Sequence, residues 1–196
     1  MKVFINPGHS PKGIPDPGAV NPDTGLKESD IAYKIGVLAV GYLRKAGCDV
    51  KYLQSDNLCG EGEGENVCQT ANDWQADIFV SIHCNAANGK ARGAETFCYE
   101  EDSDGYKLAG FIQSQVYETQ HEIDSGFIDR GVKIRPSLAV LRNTEMPAVL
   151  CEVGFIDNQA DAWLMFHYFD EIARAVARGV TDYEKEKLNE TAENAC

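Results

Sequence analysis

Several side chains that can bind a metal ion or transfer a proton stand at the ends of apolar runs in this sequence. His9 comes shortly after Val3-Phe4-Ile5, and His83 and Glu152 each follow a longer run directly. Glu28 stands where a loop rich in proline and glycine leads into a helical pattern. Two imidazoles and one carboxylate form a set that binds zinc and leaves a coordination position for water. The remaining carboxylate could then transfer protons, but composition and spacing do not settle which glutamate has which role.

Each of these residues also has a purely structural interpretation. A lone His83 at a buried strand end could be a core histidine, and His9 could be an ordinary loop residue. Glu28 could simply be a negative charge that suits the dipole at a helix N-terminus. The argument for chemistry therefore depends on whether the fold brings the four side chains together.

Apolar periodicity predicts strands that alternate with helices along almost the whole chain. We expect strands at 2–6, 49–54, 77–85, 93–99, 138–141 and 147–152, and helices at 29–46, 65–74, 103–123 and from 157 onward. This alternation predicts a three-layer α/β fold with a mainly parallel central sheet of about six strands flanked by helices. Because such sheets place ligands at the carboxyl ends of their strands, His9, His83 and Glu152 are expected to converge.

The chain is expected to form one domain, residues 1–183, followed by a polar tail, 184–196, that frays. The 43% hydrophobic and 25% charged residues are ordinary values for a globular protein. The net charge of −13 argues against a nucleic-acid partner, which would require clustered positive charge. No apolar run approaches the roughly 20 residues of a membrane helix, so no membrane partner is expected, and we expect a monomer.

Seven cysteines without regular spacing do not indicate a disulfide scaffold. Cys84, Cys98 and Cys151 lie in strand-like surroundings and are expected to be small buried hydrophobic residues. Met1-Lys2 leads directly into a strand pattern without a secretory segment. We therefore expect synthesis in the cytoplasm, and any action outside the cell would follow release or non-classical export.

The ordered motifs of the chain resemble those of zinc-dependent N-acetylmuramoyl-L-alanine amidases of the Amidase_3 type. The matching stretches are Asn6-Pro7-Gly8-His9, Asp16-Pro17-Gly18-Ala19, Gly25-Leu26-Lys27-Glu28, Ser81-Ile82-His83-Cys84-Asn85-Ala86 and Pro147-Ala148-Val149-Leu150-Cys151-Glu152-Val153-Gly154-Phe155-Ile156. The resemblance covers residues 2–182. It implies that His9, Glu28 and His83 bind one Zn²⁺ and that Glu152 is the catalytic carboxylate. It also implies hydrolysis of the amide between N-acetylmuramic acid and L-alanine in peptidoglycan, in cell-wall lysis or remodelling, as in a phage or prophage endolysin or a sporulation amidase.

Five further residues are weaker candidates for substrate contacts or for support of the metal ligands. They are Asp16, Asn85, Glu95, Arg130 and Arg142. Asp16 could accept a hydrogen bond from a ligand histidine, and the two arginines could meet carboxylates of the stem peptide. Glu95 is the residue most easily confused with Glu28 as a ligand.

Two other functions fit parts of the same pattern. The first is a zinc exopeptidase or carboxypeptidase that acts on free peptides, because related α/β folds serve both reactions. The second is a non-catalytic module that binds the cell wall through a retained pocket.

Overall fold

Six strands form a single sheet in the computed structural model, which describes residues 1–62 and 64–194. They are β1 (Lys2–Pro7), β2 (Asp49–Tyr52), β3 (Ile78–Asn85), β4 (Ala94–Cys98), β5 (Asp129–Ile134) and β6 (Ala148–Phe155). The order is β2-β1-β3-β6-β4-β5. The first four strands in that order are parallel, whereas β4 pairs antiparallel with β6 and β5 runs parallel to β4. The predicted mainly parallel α/β sheet is confirmed.

Helices cover both faces of the sheet and make the three layers. They are α1 (Glu28–Lys45), α2 (Val67–Asp73), α3 (Asp104–Ile123), α4 (Ala139–Arg142), α5 (Gln159–His167) and α6 (Phe169–Asn194). The larger core cluster lies between the sheet and α1, α3, α5 and α6, and the predicted buried cysteines Cys84, Cys98 and Cys151 belong to it. The smaller cluster joins the other face to α2 and α4. Among the described residues, no helix is both long enough and apolar enough to span a bilayer.

Side chains that alternate along β3 and β6 determine which face carries the candidate site. Val80, Ile82 and Val149 point into the larger cluster, whereas Phe79 and Leu150 point into the smaller one. Because successive side chains of a strand point to opposite faces, His83 and Glu152 lie on the same face as Phe79 and Leu150. On this face of the sheet, the amino-terminal halves of β3 and β6 pack against α2 and α4, and the carboxyl-terminal halves present the polar side chains.

One predicted strand was wrong, and one strand of the sheet was not predicted. Residues 138–141 were expected to be a strand, but Ala139–Arg142 is the single helical turn α4, closed by Arg142 N–H donating to Leu138 O at 3.0 Å. Its apolar residues Val140 and Leu141 pack into the smaller cluster, which explains the strand-like run of apolar residues. Conversely, β5 was not predicted, because as a partly exposed edge strand it has no buried apolar run.

The segment predicted to be a frayed tail continues α6 as far as Asn194, and the last two residues lie outside the described part. Lys187 Nζ lies 3.1 Å from Asp104 Oδ1 of α3 and 3.3 Å from Glu190 Oε2, one turn away. The Lys187–Asp104 pair joins this polar helix end, which has no apolar stripe, to α3, and the apolar pattern alone does not reveal such a contact.

Candidate metal centre and active site

Strand pairing places His83 and Glu152 side by side. His83 lies opposite Glu152 in the β3–β6 register, and Glu152 lies opposite Glu95 in the β6–β4 register. Neighbouring strands are about 4.8 Å apart, so the three side chains form a row across the sheet. The convergence predicted from the strand ends is therefore present for His83 and Glu152.

The turn after β1 brings His9 over this row. Gly8 N–H donates to Ile82 O of β3 at 2.9 Å, and His9 follows with a φ of 66°. The His9 and His83 rings lie with their centroids 4.9 Å apart. A Cβ on Gly8 would lie 2.4 Å from the His83 ring, so a glycine is required for the turn to approach the histidine this closely.

Glu28 connects the two histidines. It is the first residue of α1, and its Oε1 lies 2.9 Å from His9 Nε2 and 2.8 Å from His83 Nδ1. Backbone N–H groups hold both of its oxygens: Cys84 donates to Oε1 at 2.9 Å and Ala19 donates to Oε2 at 2.8 Å. The carboxylate is therefore fixed in position by the backbone and is only 5% exposed.

These contacts shift the pKa values of the group. Burial alone would raise the pKa of Glu28, but its hydrogen bonds with His83 and His9 lower it well below the ordinary range. Burial would lower the pKa of His9, but the adjacent carboxylates of Glu28 and Asp16 raise it to about 9. The contact between Glu28 and His9 thus stabilises the ionised carboxylate of Glu28 and the protonated imidazole of His9.

Asp16, a weaker candidate, lies beside the metal-ligand candidates. Its Oδ2 is 2.7 Å from His9 Nδ1, and its Oδ1 accepts from Gly18 N–H at 2.9 Å. A carboxylate that accepts from Nδ1–H leaves Nε2 of the same ring as the electron-pair donor, the usual arrangement around a metal-binding histidine. The aspartate therefore both closes the local turn and orients His9.

Glu152 has a different environment from Glu28. Its Oε2 is shielded from solvent and has no hydrogen-bond partner among the described residues. Burial, followed by the negative charges of Glu28 and Glu95, raises the pKa of Glu152 to about 8. One glutamate is thus held as a carboxylate and the other is more easily protonated, so the two carboxyl groups differ in their electrostatic environment.

Glu95 does not join the histidines. It lies outside the His9, Glu28 and His83 group, and its oxygens are engaged by Asn85 Nδ2 at 2.6 Å, Arg130 Nε at 2.9 Å and Lys133 Nζ. Burial would raise the pKa of Glu95, but the hydrogen bonds from Lys133 and Arg130 lower it. Asn85, Glu95 and Arg130 are therefore brought together as a charged network next to Glu152.

Arg142 is not brought to this cluster. It is exposed on α4, beside Ala148 at the start of β6. Glu152 comes four residues later on the same strand, which corresponds to about 13 Å along the sheet. The Arg142 side chain would therefore have to reach from the amino-terminal end of β6 to contact a substrate held at Glu152.

Two residues near the site were missed by the sequence analysis. Lys133 contacts Glu95 from β5, a strand that carried no recognisable pattern. Gln54 is buried and its Nε2 donates to Gly8 O at 3.1 Å and Ser29 O at 3.0 Å, so it ties the turn before His9 to the first turn of α1. The strand prediction for β2 extended to Gln54, but nothing in the residue type indicated this contact.

A cavity of about 580 Å³ lies beside the site, at the loop before α1 and at α5. Its lining includes Leu26, Asp30, Trp163, Phe166 and His167, and none of the four candidate chemical residues. His167, like His121 on α3, bonds to a backbone carbonyl and lies outside the cluster. The four candidate chemical residues therefore do not line this cavity.

The donor set fits a zinc ion. His9, Glu28 and His83 each offer one ligand atom, and these atoms lie within 4.8 Å of one another. Two imidazoles with one carboxylate are the ligand set that catalytic zinc sites use while keeping a position open. The preoriented carboxylate, the Asp16–His9 contact and the free Glu152 oxygen are the features expected around such a site.

The fold and the site together define a hydrolase: an α/β sheet that gathers a metal-ligand set beside an enclosed carboxylate. The N-acetylmuramoyl-L-alanine amidase family model, Amidase_3, matches residues 3–182. The chain therefore belongs to the Amidase_3 family of N-acetylmuramoyl-L-alanine amidases, as its motifs predicted.

Individual relatives agree with this assignment. The sporulation-specific N-acetylmuramoyl-L-alanine amidase of Bacillus subtilis (strain 168) is 33% identical over 186 residues, covering 92% of this chain and 67% of the relative. The endolysin of Bacillus phage SPP1 is 34% identical over 184 residues, covering 92% and 65%. The crystal structure of N-acetylmuramoyl-L-alanine amidase from Clostridium difficile 630 superposes with a TM-score of 0.77 at 28% identity, covering 95% of this chain and 97% of that one. The family and these relatives support a peptidoglycan amidase.

Proposed function

We propose that this chain hydrolyses the amide between N-acetylmuramic acid and L-alanine in peptidoglycan, with zinc held by His9, Glu28 and His83. The observation that carries the proposal is the His83–Glu152 pairing, which sets an enclosed carboxylate beside the metal-ligand candidates. When bound, zinc supplies Lewis-acid chemistry that polarises the scissile carbonyl and makes water more acidic.

Glu152 is the residue that moves protons. Its free Oε2 accepts a proton from the attacking water and then delivers it to the alanine nitrogen as the amide bond breaks. A pKa raised by burial and by neighbouring carboxylates suits this exchange, because the group can hold the proton between the two steps.

The other polar residues have positioning roles in this proposal. Asp16 holds His9 in the tautomer that leaves Nε2 as a donor. Asn85 and Arg130 fix Glu95, so we assign them to the support of the β4 and β5 edge and not to direct contact with substrate. Arg142 has no role at the site in this proposal.

The test compares Glu152→Gln with Glu28→Gln by metal analysis and by digestion of purified peptidoglycan. Glu152→Gln should keep one zinc per chain while turnover falls by about 10²- to 10⁴-fold, the usual contribution of general acid–base catalysis. Glu28→Gln should lose zinc itself. Glu171→Gln, at an exposed position on α6, is the matched control and should change neither quantity. Loss of zinc in Glu152→Gln with zinc and turnover kept in Glu28→Gln would reverse the two roles.

Product analysis separates the amidase from the peptidase alternative. The amidase must release an L-alanine amino terminus from intact muropeptides without shortening the stem peptide. Removal of terminal residues from the peptide would instead identify an exopeptidase, and zinc binding without any product would identify a binding module.

A further inference from the structure

Two thiols outside the group of metal-ligand candidates lie in contact. Cys59 is in the loop after β2 and Cys68 is in the first turn of α2, and their Sγ atoms are 3.1 Å apart. Cys68 is buried, whereas Cys59 is partly exposed. The other cysteines in the described part of the chain are all buried: Cys48, Cys84, Cys98 and Cys151.

Backbone hydrogen bonds enforce this contact. Val67 N–H donates to Asn57 O and Cys68 N–H donates to Leu58 O, each at 3.0 Å. The Asn57 side chain also donates to Gly64 O at 2.7 Å. The loop is thereby folded back on the start of α2, so the backbone holds the two cysteines next to each other.

The two sulfurs differ in their surroundings. Cys59 Sγ accepts a hydrogen bond from Asn143 Nδ2 at 3.1 Å and is partly exposed. Burial raises the pKa of the Cys68 thiol well above its usual range. Because the thiolate is the nucleophile in thiol–disulfide exchange, the more accessible Cys59 is the thiol that meets an oxidant first.

We propose that Cys59 and Cys68 are a disulfide-forming pair, oxidised by thiol–disulfide exchange with small-molecule disulfides. The Cys59 thiolate attacks one sulfur of the small disulfide, forming a mixed disulfide and releasing one small thiolate. Cys68 then loses its proton to solvent, and its sulfur attacks Cys59 Sγ and releases the second small thiolate. The protein loses two hydrogens, and one small disulfide becomes two thiols.

This cross-link would close the loop between residues 59 and 68 without a change of fold, because the sulfurs already touch. It lies in the segment that follows Gln54, whose side chain holds Gly8 O and Ser29 O. Oxidation would therefore fasten the connection between β2 and α2 outside the site while leaving the four chemical residues untouched.

The test uses the full chain with Cys196→Ser, which leaves six of the seven cysteines. The reduced, desalted protein is incubated with oxidised glutathione. It is then unfolded in a denaturant that contains an alkylating reagent, and digested with trypsin and a Glu-specific protease. Cleavage after Glu61 and Glu65 separates Cys59 from Cys68. We expect two of the six cysteines to escape alkylation, a mass loss of about 2 Da before alkylation, and a cross-linked peptide pair joining Cys59 to Cys68.

Two controls keep the result interpretable. Dithiothreitol should restore alkylation of all six cysteines, and Cys59→Ser in the same background should leave the remaining five alkylated after the same oxidation. Full alkylation of the parent chain after oxidation would overturn the proposal. A glutathione adduct that persists on Cys59 would overturn it as well, because it would show that Cys68 cannot complete the exchange.

Discussion

At the scale of single residues, backbone N–H groups fix the carboxylate of Glu28, a ligand in the proposed zinc site. Ala19 and Cys84 N–H groups hold its two oxygens, and Oε1 faces both histidines. A ligand whose position is already determined loses little freedom when the metal arrives, so the set is preorganised. The consequence is that residues supporting the ligands, and not only the ligands, determine the metal affinity.

Asp16→Asn tests the support of His9. The amide can still accept from Gly18 N–H, but the charged partner of His9 Nδ1 is lost. We expect zinc affinity to fall by about 10- to 100-fold, the usual effect of removing such a partner. Competition between the protein and a calibrated chelator measures this affinity. Asp23→Asn, at an exposed position of the same loop, should bind zinc as the parent does, and unchanged affinity in Asp16→Asn would assign Asp16 to the turn alone.

Gly18→Ala and Gly25→Ala form a matched pair. Both glycines have positive φ, +66° and +70°, so each alanine should cost about 1–2 kcal/mol of folding free energy. A Cβ at position 18 would lie 2.5 Å from His9 Cδ2 and 2.6 Å from Glu28 Oε2, whereas nothing lies within 4 Å at position 25. We therefore expect Gly18→Ala to lose at least as much thermal stability as Gly25→Ala, and we expect a fall of more than about 10-fold in zinc affinity only for Gly18→Ala. Equal zinc affinities in both variants would show that the ligands move aside.

At the scale of elements, the strand ends were predictable because each buried apolar run stops at a polar residue. The ends of β1, β3 and β6 placed His9, His83 and Glu152 at one edge before the register was known. The antiparallel direction of β4 was not predictable, because a run of apolar residues does not indicate which way its strand runs in the sheet. The edge strand β5 was not predictable because it has no run of buried apolar residues. The partners of Glu95 depend on both of these features, so its contact with Lys133 could not be inferred from spacing.

Asp161 links three elements and is completely buried. Its carboxylate accepts from Gly93 N–H before β4, Phe155 N–H of β6 and Arg92 Nε, at 2.8, 3.1 and 2.9 Å. Asp161→Ala should lower the free energy of unfolding by about 3–5 kcal/mol, because it leaves partly buried donors without their charged acceptor. Denaturant unfolding measures the loss. Asp157→Ala is the control. Asp157 lies in the loop before α5 and accepts from the exposed N–H groups of Ala87 and Gly89, so its loss should lower the free energy of unfolding by less than half as much.

At the scale of the whole molecule, α6 completes the larger core by packing against α1 and α3. Its inner residues Ile172, Val176 and Val180 are fully buried, and Tyr183 is the last buried residue of the helix. Beyond Tyr183 the helix contacts the rest of the protein through charges: Glu184 with the Met1 amino group at 3.1 Å, and Lys187 and Glu190 with residues of α3. Among the described residues, the buried hydrophobic core therefore ends at Tyr183, although the helix continues.

A chain that stops at Tyr183 should fold and keep its amidase activity. It loses ion pairs whose side chains are partly exposed, each worth about 0–1 kcal/mol, so the melting temperature should fall by no more than a few degrees. A chain that stops at Arg178 is the contrasting variant, because it also removes Val180 and Tyr183, at about 1.5–3 kcal/mol for each large buried side chain. Calorimetry and peptidoglycan digestion of both chains measure the difference. If the chain ending at Tyr183 lost activity or unfolded like the shorter one, the charged helix end would be part of the domain, and the boundary at 183 would be wrong.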